Sequence, residues 1–158
     1  MESPRWLSET EDRAWRSYVR MSRELTVQLN RSLSRSTGLS LVDYEVLVVL
    51  SESADDRLRA YELGMTLRWE KSRLSHHLKR MEGRGLIERR VCESDGRGLW
   101  VQLTAAGRAA VEGAAPRHVE DVRRLFVDVL TPGQLEELAE VSEKVVAGLP
   151  PGDDLCDS

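Results

Sequence analysis

Five polar or basic side chains share one face of a short helix that the sequence predicts over residues 70–84. Leu74, Leu78 and Met81 form an apolar stripe at helical spacing. At about 100° per residue, the opposite face carries Ser72, Arg73, His76, Lys79 and Arg80, with Arg73 at its edge. Side chains of these types can address the hydrogen-bond acceptors that base edges present in the major groove of DNA, and also phosphates. The helix is therefore a candidate nucleic-acid contact.

Positive charge is concentrated around this helix. The 158-residue chain has a formal net charge of −4, with 23 Lys and Arg against 27 Asp and Glu. Residues 57–97 carry 11 basic and 6 acidic side chains, a net charge of +5. A basic segment between acidic ends is typical of a polyanion-binding region in an otherwise acidic protein. Charge alone favours the ordinary alternative, a solvated, Arg-rich helix face, so the surrounding elements must decide.

The elements around the basic helix predict a winged helix-turn-helix. A shorter helix over about 59–66 precedes it, and the turn Arg68-Trp69 is short enough to keep the two helices adjacent. Residues 86–93 and 99–103 alternate as two strands, and the turn Ser94–Gly98 between them contains Asp-Gly, a strong hairpin signal. A helix-turn-helix followed at once by a basic-tipped hairpin is a winged helix.

Further helices are predicted on both sides of this unit. Residues 10–36 show apolar positions three and four apart, which indicates an amphipathic helix. Ser40 caps the next helix. Residues 105–149 are helical again, and Pro116 either kinks one long helix or starts a second one. Thr131-Pro132 is the predicted start of the last helix.

The predicted fold class is mainly α with a small β-hairpin wing, in a single domain of residues 1–158. The winged-helix lobe is residues 40–104, and the tail 150–158, rich in Pro, Gly and Asp, is expected to be flexible. The helices in 10–36 and 105–149 have long apolar stripes that so thin a layer cannot cover. We therefore expect a two-fold homodimer in which these outer helices form the dimer interface.

Composition excludes several classes of protein. The longest apolar run, Val46–Leu50, is far shorter than the roughly 18 residues of a membrane span, and the N-terminus has no signal-like apolar stretch. Cys92 and Cys156 are too few for a disulfide framework, so a cytoplasmic protein is expected. No Gly-rich phosphate loop, catalytic carboxylate pair or nucleophile–base set indicates an enzyme. No metal site is expected, because the adjacent His76-His77 point about 100° apart.

Residues Trp69–Arg89 resemble the recognition helix and following strand of the MarR family of winged-helix regulators. Asp95-Gly96-Arg97-Gly98 is similar to the Asp-x-Arg wing of that family, and Val101–Gly107 is similar to its Leu-Thr-x-x-Gly helix start. The likeness extends over about 10–148, and a Trp-Glu-Lys-Ser-Arg opening is frequent among actinobacterial members. The resemblance implies a sequence-specific DNA-binding transcriptional regulator, by default a ligand-responsive repressor that binds a near-palindromic operator as a homodimer.

This resemblance gives the residues of the basic helix expected roles. Ser72, Arg73 and His76 lie in its N-terminal part, which reaches deepest into a major groove, so we expect them to read bases. Lys79 and Arg80 are also major-groove candidates, but together with Lys71 they can contact phosphates instead. Arg89 and Arg90, on the strand that follows, can reach the backbone phosphates. Each of these side chains, taken singly, also fits an ordinary solvated surface position.

The hairpin tip has its own expected contact. Arg97 is expected to enter the narrow minor groove, where the potential of DNA is most negative. The resemblance implies that Asp95 steadies Arg97, although Asp95 also fits a plain turn residue. Ser40 could donate to a phosphate at its helix start, or simply cap that helix.

Members of the MarR family commonly respond to small phenolic or aromatic acids held between the dimerisation helices and the DNA-binding lobe. The lining candidates here are Trp15, Arg16, Tyr18 and Tyr44, each of which also fits ordinary core or surface. No other cofactor is expected. The redox-sensing branch has a reactive cysteine near its N-terminal helix, and neither Cys92 nor Cys156 lies there, so thiol sensing by that scheme is not expected.

Two alternatives stay open from the sequence. A winged helix can serve only as a protein-interaction module, or it can coat DNA without reading sequence. The basic helix face and the Arg-tipped hairpin argue against the first alternative. A footprint discriminates the second, because a non-specific binder gives no bounded protected site.

Overall fold

A computed structural model describes residues 4–91 and 98–150 of the chain. Within these ranges it contains the helices α1 Glu9–Thr37, α2 Leu41–Ser51, α3 Ala60–Leu67, α4 Lys71–Gly83, α5 Ala105–Leu125 and α6 Pro132–Gly148. The strands are β1 Arg57–Arg59, β2 Ile87–Val91 and β3 Leu99–Leu103. The fold is mainly helical with a small antiparallel sheet, which confirms the predicted fold class.

Side-chain caps determine where the helices begin. Ser40, Thr104 and Thr131 each accept a hydrogen bond from the backbone N–H three residues later, at 3.0, 2.9 and 3.2 Å. The sequence predicts all three of these starts. Ser8 caps α1 in the same way, at 3.3 Å. Gly38 ends α1 with a φ of 76°, a left-handed conformation that glycine adopts without strain.

The sheet has one strand more than a hairpin alone would provide. β3 lies in the middle and pairs antiparallel with β1 on one side and β2 on the other. Leu58 stands opposite Val101, and Ile87 opposite Leu103, on the face that packs against the helices. β1 lies between a loop that the sequence predicts over 51–56 and the helix predicted over about 59–66. It was not predicted, because three residues are too few to show an alternating pattern. Residues 92–97, the greater part of the predicted hairpin turn, lie outside the described residues.

The hydrophobic core lies between α2, α3, α4 and the sheet. Leu47 and Leu50 of α2, Leu63 of α3, Leu78 of α4 and Val101 of β3 are each 2% exposed or less. α1 and α5 reach this core through a few side chains near the lobe. The core therefore holds α4 from behind and leaves its other face free.

The helix α5 continues through Pro116 without a break, so the alternative in which Pro116 starts a second helix is wrong. Further along, the buried carboxylate of Asp121 accepts hydrogen bonds from Ser32 of α1 and from Arg124, and it also pairs with Arg117. The hydrogen bonds from Ser32 and Arg124 hold the pKa of Asp121 below its ordinary value. This polar cluster joins α5 to α1.

The outer helices leave large apolar side chains uncovered. In α1, Leu33 is buried, whereas Trp15 and Tyr18 are 58% and 56% exposed. α6 buries none of its side chains, and its Val141 and Val145 are each 58% exposed. None of the helices in the described ranges combines the length and hydropathy that a membrane crossing requires.

Candidate nucleic-acid interface

The helix α4 separates into a buried stripe and an open polar face. Leu74, Leu78 and Met81 are 4%, 2% and 1% exposed and pack into the core. The opposite face holds the five predicted major-groove residues, all exposed: Ser72, Arg73, His76, Lys79 and Arg80. Lys71, also exposed, is the first residue of the helix. The structure therefore brings the whole predicted set together on one accessible surface.

The turn between α3 and α4 fixes where this surface begins. Arg68 takes a left-handed conformation with a φ of 56°. Trp69 is 7% exposed, and its backbone N–H donates to the carbonyl oxygen of Gly64 at 3.0 Å. A Cβ at Gly64 would lie 3.3 Å from Cδ2 of Leu74, so α3 packs closely on the start of α4. The backbone hydrogen bond of Trp69 and the close approach at Gly64 thus hold the two helices together.

A buried carboxylate behind α4 is the main feature that the sequence analysis missed. Asp43 of α2 is 5% exposed, accepts a hydrogen bond from Arg84 at 2.7 Å and lies 3.0 Å from Nε2 of His77. The guanidinium of Arg84 also donates to the carbonyl oxygen of Gly38 at 3.0 Å. The only sequence signal for Asp43 is its place three residues after Ser40, where its carboxylate accepts the Ser40 N–H at 2.9 Å. Asp43 connects α2 to the middle and the end of α4.

Burial and hydrogen bonding shift the pKa of both partners. Burial, the largest influence on Asp43, raises the pKa of its carboxyl, but hydrogen bonds from Ser40 and Arg84 together leave that pKa below its ordinary value. Burial, the largest influence on His77, lowers the pKa of its imidazole, and the charges of Arg80 and Arg73 lower it further, so that this pKa lies below its ordinary value although Asp43 raises it. At neutral pH the cluster therefore contains a charged carboxylate and an uncharged imidazole.

Acidification is expected to weaken the fold through His77. Because the pKa of His77 is lowered in the folded protein, the unfolded chain binds this proton more readily. The free energy of unfolding that this pKa shift contributes is fully present well above the ordinary histidine pKa of about 6.5, and it is lost as the pH falls below that value. Urea unfolding at pH 7.5 and 5.5 measures this loss of stability. The loss should be smaller in the variant His77→Gln. It should be unchanged in His76→Gln, whose side chain lies on the exposed face of α4. An equal pH dependence in both variants would contradict this assignment.

The arginines of β2 differ in their surroundings. Two nitrogens of Arg89 lie 3.0 and 2.7 Å from one carboxylate oxygen of Glu82, and the Arg89 backbone N–H donates to the other oxygen at 3.1 Å. The side-chain hydrogen bond from Arg89 contributes most to lowering the pKa of Glu82. Arg90 pairs with Glu88 at 2.7 Å but stays 70% exposed. Arg89 thus joins β2 to the end of α4, whereas Arg90 faces solvent.

A basic and aromatic cluster at the base of the hairpin was also missed. The guanidinium carbons of Arg57 and Arg59 on β1 lie 4.7 and 4.4 Å from the ring centroid of Trp100 on β3. Arg59 also lies close to Gly98, where β3 is about to begin. The predicted wing residues Asp95 and Arg97 lie outside the described residues. No sequence signal marks the cluster, because it depends on the unpredicted pairing of β1 with β3.

The four predicted effector residues lie in different surroundings. Trp15 and Tyr18 form a ring pair on the exposed part of α1, with centroids 6.0 Å apart. Arg16 pairs with Asp12 one turn away, at 2.8 Å. Tyr44 is buried, and its ring centroid lies 4.7 Å from that of His118 of α5. Ser40, the predicted alternative phosphate donor, accepts the N–H of Asp43 and so acts as a helix cap.

Two of the cavities among the described residues lie close to the elements of interest. The first, of about 280 Å³, lies between α3, α4 and the sheet, where Tyr61, Ser75 and Leu99 contribute to its wall. The second, of about 350 Å³, lies between α1 and the end of α5, beside Leu25 and Phe126. None of the four predicted effector residues lines either cavity. Within the described ranges, no group of three or more His, Cys, Asp or Glu is placed to hold a metal ion.

A helix with an exposed basic face, a tight turn before it and an antiparallel sheet after it define a winged helix-turn-helix protein. Comparisons with known proteins agree. The family model described as MarR family matches residues 37–98. AbsC, a MarR family transcriptional regulator from Streptomyces coelicolor with a solved crystal structure, is 44% identical in sequence to this chain. The match covers 91% of this chain and 97% of the AbsC chain, with a TM-score of 0.85. The chain belongs to the MarR family of transcriptional regulators.

Two further structures were solved with DNA. Sco3205, a MarR family transcriptional regulator from Streptomyces coelicolor in complex with DNA, is 41% identical over 95% of this chain and 94% of that one, with a TM-score of 0.89. A mutant of MarR from E. coli, complexed with operator DNA, is 25% identical over 85% of this chain and 92% of that one, with a TM-score of 0.75. A search of curated proteins found no match.

Proposed function

We propose that this protein binds duplex DNA sequence-specifically as a homodimer and regulates transcription from the site it covers. The observation that carries the proposal is the open face of α4, where five hydrogen-bonding side chains stand opposite a fully packed apolar stripe. Because its apolar stripe is packed into the core, α4 can enter a major groove with its polar face without disturbing that core. The DNA complex of Sco3205, at 41% identity, supports the same use of the fold here.

Within this proposal, Ser72, Arg73 and His76 read base edges. The phosphate contacts are Lys71, Lys79, Arg80 and Arg90. We do not include Arg89 among the phosphate contacts, because its guanidinium would have to break two hydrogen bonds to Glu82 in order to reach a phosphate. We assign Arg89 instead to holding the wing strand on α4.

The dimer interface in this proposal is formed by the outer helices. α6 buries no side chain within its own chain, and the first half of α1 presents Trp15 and Tyr18 to solvent. Covering such surfaces with a second copy is the commonest solution for a protein of this size. The domain division follows, with 40–104 as the DNA-binding lobe and 10–36 and 105–149 as dimerisation helices. Two recognition helices about 34–36 Å apart would select a near-palindromic operator.

Repression is the regulatory outcome that we propose, since a dimer seated over a promoter excludes polymerase. A non-enzymatic, cytoplasmic protein fits this role, because the promoter is its target. The small aromatic effector stays a prediction: neither described cavity includes Trp15, Arg16, Tyr18 or Tyr44.

Arg73→Ala is expected to lower affinity for a specific duplex about tenfold or more, since a good base contact contributes about 1–3 kcal/mol. The duplex is one that the wild-type protein enriches from a random-sequence pool, and affinity is measured by fluorescence anisotropy. The same substitution should lower the affinity of the protein for a duplex of scrambled sequence much less. Arg13→Ala, an exposed arginine on α1, is the matched control. Failure of the pool to enrich any sequence would refute sequence-specific binding.

Arg97→Ala is expected to weaken binding at least several-fold, since a wing arginine inserted into the minor groove gains from its negative potential. Binding of the wild type should fall steeply as salt rises, because neutralised phosphates release counterions. Titrations at several salt concentrations, with sedimentation to check that the dimer is intact, test both points. If the variant and the wild type bound DNA with equal affinity, Arg97 would not be part of the DNA interface.

A further inference from the structure

Arg73, the arginine proposed to read a base, lies over the ring of a buried tryptophan. The guanidinium carbon of Arg73 lies 4.5 Å from the ring centroid of Trp69. Arg73 itself is exposed on the polar face of α4, whereas Trp69 is 7% exposed in the turn before that helix. Within the described residues, Arg80 on the same face has no ring contact of this kind. Trp69 thus distinguishes Arg73 from the other cations of the face.

Trp69 is itself held from two sides. Its backbone N–H donates to Gly64 of α3 at 3.0 Å. Its ring stands nearly perpendicular to that of His77, at 88° and 5.4 Å between centroids. His77 in turn lies 3.0 Å from the buried Asp43 of α2. A continuous series of contacts therefore runs from the core of the lobe to the base-reading side chain.

The stack has a physical consequence for recognition. A free arginine loses much side-chain freedom when it is fixed on a base edge, and this loss reduces the affinity for the duplex in which that contact is made. Stacking on an aromatic face restricts the guanidinium before DNA arrives, and it leaves the in-plane N–H groups available as donors. Guanine offers two acceptors in its plane, which match such a fork.

We infer that Trp69 is a specificity-determining positioning residue, which presents the guanidinium of Arg73 to a base while the stack is kept in the complex. This inference rests on the proposed function, in which Arg73 contacts a base. Trp69 touches no DNA in this arrangement and acts through Arg73 alone. Its effect must therefore depend on which residue occupies position 73.

A double-mutant cycle tests this dependence. Trp69→Leu removes the ring, and Trp69→Phe keeps a smaller one if the leucine variant folds poorly. Each change is made in the wild-type, Arg73→Ala and Arg80→Ala backgrounds, with folding checked by circular dichroism. Anisotropy titrations use the duplex enriched by the wild-type protein and the same duplex with scrambled sequence.

We expect Trp69→Leu to lower affinity for the enriched duplex about two- to fivefold, as a cation–π stack at an exposed site would. Trp69→Phe should lower it less, and the scrambled duplex should be unaffected. The loss should persist beside Arg80→Ala and vanish beside Arg73→Ala. A loss of the same size in the Arg73→Ala background would show that Trp69 only shapes the fold, and unchanged or tighter binding would show that Arg73 leaves the ring. Either result overturns the inference, whereas a pool that enriches no duplex refutes the proposed function itself.

Discussion

Replacing Gly107 with alanine is expected to lower the free energy of unfolding by about 2–3 kcal/mol or more. Gly107 lies in the first turn of α5, where its N–H donates to Thr104 at 2.9 Å. A Cβ there would overlap the carbonyl oxygen of Leu86 and lie 2.8 Å from Cδ1 of Leu103. Because the backbone carbonyl cannot move aside, α5 would have to shift away from the entry to the sheet. Urea unfolding followed by circular dichroism measures the loss.

Gly113 of the same helix provides a matched control with the opposite sign. A Cβ at Gly113 would meet no atom within 4 Å, and alanine is favoured over glycine inside a helix by about 1 kcal/mol. Gly113→Ala should therefore stabilise the protein, while Gly107→Ala destabilises it. Two substitutions with the same effect would show that helix propensity, and not the contact with Leu86, decides the outcome at position 107.

Asp43→Ala is expected to cost about 2–3 kcal/mol of unfolding free energy. Removing one partner of a buried ion pair leaves the other without compensation, at about 3–5 kcal/mol when both are fully buried. The figure is smaller here, because the side chain of Arg84 is 46% exposed and can turn to water. The loss also includes the cap at Ser40, whose N–H the carboxylate accepts. Thermal and urea unfolding at pH 7.5 both report it.

An exposed ion pair gives the contrast for Asp43. Glu88 and Arg90 pair at 2.7 Å with side chains 52% and 70% exposed, so Glu88→Ala should cost less than about 1 kcal/mol. Asp43→Asn keeps the shape and a carbonyl acceptor, and should fall between Asp43→Ala and the wild type. If Asp43→Ala were no worse than Glu88→Ala, the buried cluster would have no structural role.

Much of the fold was predictable because its signals are local. Caps such as Ser40 and Thr131 and the apolar stripes of the helices act over a few residues, so they are visible in sequence. β1 was not predictable, since its three residues form a strand only by pairing with β3. Pro116 left two alternatives open, because the packing around a proline decides whether a helix continues through it or ends there.

The candidate site was predictable where it faces solvent. A helical wheel suffices to group the exposed residues of α4 once Leu74 and Leu78 are known to be buried. The partners behind the helix were not predictable, because Asp43 and Arg84 are 41 residues apart and both are types usually found in water. The same holds for Arg89, which sequence assigns to phosphate and which the structure finds on Glu82.

Pro116 lies in the middle of the continuous helix α5, between two arms with different contacts. Pro116 has no N–H for the carbonyl of Glu112, so one rung of the hydrogen-bond ladder is absent there. One arm starts beside the wing sheet, and the other is tied to α1 through Asp121. The first arm is about 16 Å long, so a bend of about 10° at the proline would swing its far end by about 3 Å. The missing hydrogen bond makes this the point of α5 where bending costs least, so a change of angle between the arm beside the sheet and the arm tied to α1 is expected to occur at Pro116.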